Sequence, residues 1–284
     1  MSAPQNVIAV VFDFDDTLTD DSTTELLRSH GIDPMEFWNT HVRARVQSGW
    51  DPALAYLDLL LEQAAPGGPL EGLTNKRLAD FGASLEFYRG IPRLFKDLKG
   101  IVAKHEVSKP SIEFYIISGG PQEVIRGTRI AQYFTGIWGC TFEEIGGRVA
   151  KIKNVISFTE KTKYLFLINK GLGEEAQTNA YVVNQHMAKE TRRIPWENMI
   201  YVGDGLTDVP CFSLIQHFRG RAFGVFDPMK EGSPRKAWEQ LVAPQRVATM
   251  NSPRYGEKDD LGALIRAAVT GICIDLDTRS RRAL

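Results

Sequence analysis

The chain of 284 residues is 43% hydrophobic and 24% charged, which is typical of a folded globular protein and excludes a disordered or fibrous one. With 34 Lys and Arg against 35 Asp and Glu, the net charge of -1 provides no general attraction to nucleic acid or to an anionic membrane surface. The length allows one large domain, or one core domain that carries a smaller insertion.

Neither the amino terminus nor the cysteines indicate export. The first residues, MSAPQN, lack the basic start and the apolar run of a signal peptide, and no stretch has the length of a membrane span. The cysteines Cys140, Cys211 and Cys273 are far apart in sequence and lack the spacing of a disulfide framework or a zinc site. We therefore expect a cytoplasmic protein whose cysteines are free.

Three apolar segments predict buried strands of a parallel sheet. They are VIAVVF at residues 7–12, EFYIIS at 113–118 and NMIYVG at 198–203. Continuous runs rich in β-branched residues are typical of strands that are covered on both faces. A polar or glycine-rich turn and a helix start follow each segment. This order predicts an α/β fold with its ligand crevice at the carboxyl ends of the strands.

The segment between the first two strands is too long for a single crossover and has a mainly helical pattern. Asp51-Pro52 and Thr74 are signals for the start of a helix, and PALAYLDLLLEQA at residues 52–64 repeats apolar residues at helical spacing. This segment therefore predicts an inserted helical domain.

The rest of the chain completes the core. EEIGGRVAKI at residues 143–152 predicts a hairpin, FGVFD and RVATM predict two more strands, and LGALIRAAV predicts a closing helix. We therefore predict a core formed by residues 1–19 and 89–284, interrupted by a helical cap at residues 20–88.

Two acidic turns follow predicted strands. Asp13 and Asp15 come directly after the first strand, and VGDGLTDVP carries Asp204 and Asp208. Side chains two apart can share a crevice at a strand end only if turn geometry begins there. Like charges at one sheet edge are unfavourable unless a cation neutralises them, and carboxylate oxygens suit Mg²⁺. One acidic turn can be a solvated helix cap, but two at neighbouring strand ends indicate a shared cation.

Two other segments suit an anion. In IISGGPQEV, the Ser118 hydroxyl and the neighbouring backbone N–H groups can hold an anion at a helix start. Lys161 stands at the beginning of a predicted helix, where the helix dipole disfavours a cation. A plain helix cap and a solvated lysine are the ordinary alternatives for these two residues, and Lys163 competes with Lys161 for the same role.

Taken in order, DFDDT at residues 13–17, Ser118-Gly119, Lys161 and GDGLTD at residues 203–208 resemble the motifs of the haloacid dehalogenase superfamily. The match spans about residues 7–210, and the glycine-rich second motif resembles the phosphoserine phosphatase-like branch. The resemblance implies a Rossmann-like, three-layer core with a mainly parallel sheet and an α-helical cap inserted after the first motif. It also implies a Mg²⁺-dependent phosphatase that acts through an aspartyl-phosphate on a small phosphorylated metabolite.

The same resemblance implies roles for the acidic residues of the first and last motifs. Asp13 is the expected nucleophile, and Asp15 is the expected acid for the leaving alkoxide and then the base for the attacking water. Mg²⁺ is expected on Asp13, on the backbone carbonyl of Asp15 and on Asp204.

The remaining motif residues are expected to hold the phosphate and to support the site. The resemblance places Ser118, the Gly119 amide and Lys161 on the phosphate oxygens. Asp208 is expected to orient Lys161 or a metal-bound water, and Thr17 to brace the first turn by hydrogen bonding.

Other activities share these motifs. A dehalogenase expels halide and has no use for the proton of Asp15, so Asp15 favours a phosphatase. Phosphonate cleavage needs a cap lysine, and Lys76 is the only lysine in residues 19–89. A phosphomutase shares the first motif, whereas a catalytically silent binding protein would be expected to lack Asp13, Asp15 or Asp204.

The motifs leave the substrate open beyond a small-molecule phosphomonoester, and we expect no nucleic-acid or membrane partner. Phosphoserine phosphatases carry a hinge glutamate somewhat earlier than Glu25 and a cap arginine, for which Arg43 and Arg45 are the candidates. Four aromatic residues of the predicted cap are candidates for a substrate pocket, with core packing as the commoner alternative: Phe37, Trp38, Trp50 and Tyr56.

Overall fold

The computed structural model describes residues 5–173, 175–229 and 232–282, and their strands form one seven-stranded sheet in the order β4-β3-β2-β1-β5-β6-β7. The β3–β4 pair is antiparallel, and every other neighbouring pair is parallel. This confirms the predicted Rossmann-like α/β fold. The strands are β1 (Val7–Phe12), β2 (Ser111–Pro121), β3 (Gly136–Ile145), β4 (Arg148–Asn154), β5 (Met199–Gly203), β6 (Arg221–Val225) and β7 (Thr249–Asn251).

Helices surround the sheet. The first six lie between β1 and β2, and five of these fall within residues 20–88, which confirms the predicted helical segment. A π-helical stretch, Phe37–Val42, joins the second to the third, and another, Trp238–Val242, follows the tenth. The helices are α1 (Ser22–Ser29), α2 (Pro34–Glu36), α3 (Arg43–Gln47), α4 (Pro52–Gln63), α5 (Asn75–Gly82), α6 (Arg93–Val102), α7 (Gln122–Gly127), α8 (Glu160–Lys170), α9 (Val209–His217), α10 (Ser233–Ala237) and α11 (Asp260–Arg282).

Aromatic contacts show that the sheet is covered on both faces. Phe12 of β1 meets Phe95 of α6, with ring centroids 6.0 Å apart. Tyr201 of β5, whose register partner is Val11, meets Phe212 of α9 at 5.6 Å. Because successive side chains of a strand point to opposite faces, α6 and α9 lie on opposite sides of the sheet. The core therefore has three layers.

Local signals in the sequence set several element boundaries. The Asp51 carboxylate accepts hydrogen bonds from the amides of Ala53 and Leu54 at the start of α4. Thr74 caps α5 in the same way. Gly146 and Gly147 have φ values of 62° and 77°, which glycine adopts readily, and they form the predicted hairpin turn between β3 and β4.

No helix among the described residues has the combination of length and apolar character that crossing a bilayer requires. The three cysteines are buried and free, as expected.

Helix α5 lies within the predicted cap but packs directly on α7 of the core. A Cβ atom added to Gly127 would lie 1.9 Å from the carbonyl oxygen of Ala79, and one added to Gly82 would lie 1.9 Å from that of Val124. Glycine at both positions therefore permits the two backbones to touch. The amide of Val149 in β4 also donates to the carbonyl of Leu73 at 2.8 Å.

Gly127→Ala is expected to lower the free energy of unfolding by about 1–3 kcal/mol, because the added methyl group must displace the backbone of α5. Gly100→Ala is the matched control, since nothing lies within 4 Å of the added carbon and alanine favours a helix by up to about 1 kcal/mol. Equilibrium unfolding in urea measures both changes. Equal stability of the two variants would contradict the close contact of α5 with α7.

Candidate active site

The turn after β1 brings Asp13 and Asp15 to one cavity. The strand geometry ends at this point, because the amide of Leu18 donates to the carbonyl of Phe14 at 2.8 Å and Asp16 adopts a left-handed φ of 52°. Asp residues tolerate this conformation better than most. Turn geometry therefore begins directly after β1, which is the condition for Asp13 and Asp15 to share a crevice, and both carboxylates line the same cavity.

A cavity of about 390 Å³ lies at the carboxyl ends of β1, β2 and β5. It is lined by six of the eight motif residues selected from the sequence: Asp13, Asp15, Ser118, Gly119, Lys161 and Asp204. Asp208 and Thr17 lie outside its lining. The structure thus brings together side chains that come from four separate segments of the chain.

Lys161 is the cation of this cluster. Its side chain is buried, with Nζ 2.9 Å from Asp13 Oδ1 and 2.7 Å from Asp208 Oδ1. Burial disfavours the charge, but the attraction of the two carboxylates outweighs it and raises the pKa of Lys161 above its usual value. Lys163 pairs instead with Glu160 at 2.7 Å and is outside the cavity lining. The geometry therefore favours Lys161 over Lys163.

Asp208 is held from behind by groups that the sequence did not single out. The Tyr201 hydroxyl donates to Asp208 Oδ1 at 2.6 Å, and the Gly205 amide approaches Oδ2 at 3.4 Å. Within the apolar run of β5, nothing distinguishes Tyr201 from a core residue. These contacts fix the carboxylate that in turn fixes Lys161.

Asp15 is held in a fixed orientation. Its Oδ1 accepts a hydrogen bond from the Ser22 amide at 2.7 Å. On the other side, a Cβ atom at Gly120 would lie only 2.6 Å from Asp15 Oδ2. The backbone of β2 can therefore lie this close to the carboxyl group only because residue 120 is glycine. Burial, reinforced by the negative charge of Asp21, raises the pKa of Asp15 well above its ordinary value. Asp15 is therefore suited to carry a proton.

The neighbouring carboxylates repel one another. Burial and the charge of Asp208 raise the pKa of Asp13 to about 7, although Lys161 opposes the change. Burial and the charge of Asp13 likewise raise the pKa of Asp204 well above its usual value. Each of Asp13, Asp204 and Asp208 has a carboxylate oxygen within 4.8 Å of the others.

This donor set fits a hard divalent cation. Carboxylate oxygens are the ligands that Mg²⁺ prefers, and a cation between them would relieve their repulsion. Asp208 Oδ1 already accepts hydrogen bonds from Lys161 and Tyr201. Asp13 and Asp204 are therefore the carboxylates best placed to hold the ion.

Ser118 and Gly119 lie in the last four residues of β2, where its register with β3 shifts, and not at a helix start as the sequence suggested, because α7 begins only at Gln122. The buried Ser118 Oγ accepts from the Gly120 amide at 2.9 Å, which leaves its proton free to donate to a ligand. The Gly119 carbonyl accepts from the Tyr56 hydroxyl and from Cys140 Sγ. The contact with Tyr56 joins this end of β2 to α4.

Thr17 is buried beneath the first turn. Its hydroxyl has no hydrogen-bond partner among the described residues. Its carbonyl accepts from the Tyr255 hydroxyl at 2.7 Å, and its amide donates to the carbonyl of Phe14 at 3.3 Å. The observed bracing of the turn thus comes from the Thr17 backbone.

The candidate substrate contacts divide into two groups. Trp38 and Tyr56 line the cavity, whereas Phe37 is buried in the core and Trp50 lies at the surface, with Arg45 over its ring. Phe158, which no motif marked, also lines the cavity. The residues considered by analogy with phosphoserine phosphatases lie outside the lining: Glu25, Arg43 and Arg45.

A family model described as haloacid dehalogenase-like hydrolase matches residues 10–213, which include every motif residue of the site. The chain belongs to this family. A relative in Borreliella burgdorferi, described as an uncharacterized protein, is 31% identical over 239 residues, covering 76% of this chain and 81% of the relative.

Solved structures share the fold of this haloacid dehalogenase-like protein. A phosphoserine phosphatase described as a phospho-aspartyl intermediate analogue matches with a TM-score of 0.54 and 14% identity, over 92% of this chain and 99% of the other. A probable phosphoserine phosphatase from Vibrio cholerae matches with a TM-score of 0.55 and 14% identity, over 98% of this chain and 68% of the other. These likenesses support the fold and leave the substrate open.

Lys161→Met is expected to lower the free energy of unfolding by about 3–5 kcal/mol, because it leaves buried carboxylates without their partner. Lys163→Met, which breaks a partly exposed pair with Glu160, is expected to cost less than about 1 kcal/mol. Urea unfolding in the presence of EDTA, so that no added cation replaces the ammonium group, compares the two. Similar losses in both variants would argue against the buried ion pairs.

Proposed function

We propose that this protein is a Mg²⁺-dependent phosphomonoester hydrolase that acts through an aspartyl-phosphate on a small phosphorylated metabolite. One observation carries the proposal: Asp15, a carboxyl group whose pKa is raised by burial, lines the same cavity as Asp13. An alkoxide leaving group needs a proton donor, whereas a halide needs none. The pair therefore supports a phosphatase over a dehalogenase.

In the first step, a carboxylate oxygen of Asp13 attacks the phosphorus atom. The bond between phosphorus and the ester oxygen breaks, and Asp15 transfers its proton to that oxygen, so that a neutral alcohol leaves. The hydrogen bond from the Ser22 amide to Asp15 Oδ1 supports this role, since it orients the carboxyl group.

In the second step, Asp15 is a carboxylate and acts as the base. It takes a proton from a water molecule whose oxygen attacks the phosphorus atom of the aspartyl-phosphate. The bond from phosphorus to Asp13 breaks, inorganic phosphate forms and both residues return to their initial states.

The phosphate oxygens are held by Ser118 Oγ, the Gly119 amide and the Lys161 ammonium group. The fixed position of Lys161 between Asp13 and Asp208 supports this role, because the cation does not have to be ordered when the substrate arrives. Asp208, held by Tyr201, is a positioning residue in this scheme.

Asp13 and Asp204, with the backbone carbonyl of Asp15, would hold Mg²⁺. When bound, the ion supplies positive charge that reduces repulsion between the phosphate dianion and the carboxylates and favours the ionised form of Asp13. The short distances among the carboxylate oxygens support this assignment.

We also propose that residues 20–88 are the cap over a cytoplasmic enzyme whose core is 1–19 and 89–284. Trp38 and Tyr56 support this role, because they place cap side chains on the cavity wall. The end of the cap next to the core is α5, which is held against α7. Movement of the cap would therefore be confined to the helices before α5.

Asp13→Asn is expected to reduce phosphate release by roughly a thousandfold or more, since no other carboxylate can replace the nucleophile without moving. Release from a panel of alkyl and aryl phosphomonoesters, assayed with Mg²⁺ and with EDTA, tests this directly. EDTA is expected to abolish wild-type turnover. Full activity of Asp13→Asn, with circular dichroism showing that both proteins are folded, would remove the proposal.

Asp15→Asn is expected to affect the two steps differently. With p-nitrophenyl phosphate, whose phenolate leaves without a proton, the variant should release up to one equivalent of nitrophenol and then slow by about 10²–10⁴, because the intermediate lacks a base. Rapid mixing measures the burst, and wild type is expected to turn over steadily. Unchanged steady turnover in Asp15→Asn would exclude the acid–base role.

A further inference from the structure

Beyond the phosphate-binding half, the wall of the cavity is aromatic and apolar. The π-helical stretch before α3, the first turns of α4 and the loop before α8 supply this part. Its residues are Trp38, Val42, Pro52, Ala53, Tyr56 and Phe158.

Two of the rings are held in place before any ligand binds. Trp38 Nε1 donates to Thr24 Oγ1 at 2.9 Å, and the Tyr56 hydroxyl donates to the carbonyl of Gly119. The two ring centroids are 5.6 Å apart, and the ring planes are inclined by 49°. With these polar atoms already bonded, the side chains offer a ligand mainly aromatic surface.

The charged groups of the cavity are mostly negative. Among the described residues, those that line it are one lysine and five aspartates, of which Asp16 already has an interaction of its own: Lys161, Asp13, Asp15, Asp16, Asp21 and Asp204. Lys161 is already paired with Asp13 and Asp208. Asp21, whose charge acts on both Asp15 and Tyr56, adds negative charge between the expected proton donor and the aromatic wall.

Neither candidate cap arginine balances this charge. Arg45 pairs with Asp58 and Glu62 and lies outside the cavity lining. Arg43 is exposed and also lies outside it. An anionic group on the leaving alcohol would therefore be repelled by the Asp21 carboxylate, whereas a cationic group would meet Asp21 and the aromatic rings.

We propose that the leaving alcohol carries an ammonium group, so that the substrate is the phosphate ester of a small amino alcohol. The ammonium group lies against Trp38 and Tyr56, whose ring faces attract cations, and is neutralised by Asp21. This rests on the proposed phosphatase function. A cavity of about 390 Å³, near the lower limit for small-molecule sites, suits an alcohol of this size.

The test compares substrates that differ only in charge. Phosphocholine is set against its neutral isostere 3,3-dimethylbutyl phosphate, and phosphoethanolamine against propyl phosphate, by kcat/KM with Mg²⁺. We expect at least one ammonium ester to be preferred to its neutral partner by tenfold or more, and the pair that responds distinguishes a quaternary from a primary ammonium group. Phosphoserine, which adds a carboxylate to phosphoethanolamine, is expected to be the poorer substrate of those two.

Asp21→Asn isolates the carboxylate. Asp21 Oδ1 accepts from the Thr24 amide at the start of α1, and asparagine caps a helix equally well, so the fold is preserved. The variant should lower the preference for the ammonium ester at least fivefold. This preference is the ratio of kcat/KM for the ammonium ester to that for its neutral partner, so an effect of the substitution on Asp15 that is common to both esters cancels. Asp33→Asn, at the exposed cap of α2, is the matched control and should leave the ratio unchanged.

Binding separates failure of this inference from failure of the phosphatase function. Calorimetry with folded Asp13→Asn and Mg²⁺ measures the affinity for phosphocholine, phosphoethanolamine and the two neutral esters without turnover. Tighter binding of an ammonium ester, lost in Asp13→Asn/Asp21→Asn, supports the site even if no ester is hydrolysed. If the esters are hydrolysed with equal kcat/KM and bound with equal affinity within both pairs, the ammonium site is overturned and the phosphatase function stands. If no ester is hydrolysed, equal or absent binding within both pairs also overturns the ammonium site.

Discussion

The charge balance around Lys161 is the constraint on which the site depends. Its ammonium group lies between Asp13 and Asp208, and burial raises the free energy of any of these charges left alone. The three residues come from the turn after β1, the first turn of α8 and the end of the loop after β5. Sheet register and helix packing must therefore be correct together before the charges can compensate one another.

Asp204 and Asp15 lie beside the group formed by Lys161, Asp13 and Asp208. Burial and the charges of neighbouring carboxylates, which the lysine compensates only in part, keep the pKa of both Asp13 and Asp204 raised. A bound cation would complete the compensation on one side of Asp13. On the other side, Asp15 is half-buried on the cavity wall and held by the Ser22 amide, which connects the turn after β1 to the first residues of the helical insertion.

The helical insertion is joined to the core in two different ways. At its end, α5 touches α7 through backbone contacts that glycine alone permits. In its middle, the contact at Gly119 is a single hydrogen bond from the Tyr56 hydroxyl to the end of β2 that borders the cavity. The first contact joins two backbones, whereas the second depends on one side-chain hydroxyl. Trp38 and Tyr56 of the cavity wall belong to the part that is joined in the second way.

The sequence by itself determined most of the strands, the helical insertion, the hairpin at Gly146-Gly147 and the family, because these depend on local periodicity, turn residues and ordered motifs, but it missed the first part of β3 before residue 143. It also selected the acidic residues and left Lys161 and Lys163 as alternatives. Only the tertiary structure separated the two lysines, buried Tyr201 behind Asp208 and placed Phe158 on the cavity wall. The physical reason is that burial and charge compensation arise between residues distant in sequence, and no local pattern encodes those distances.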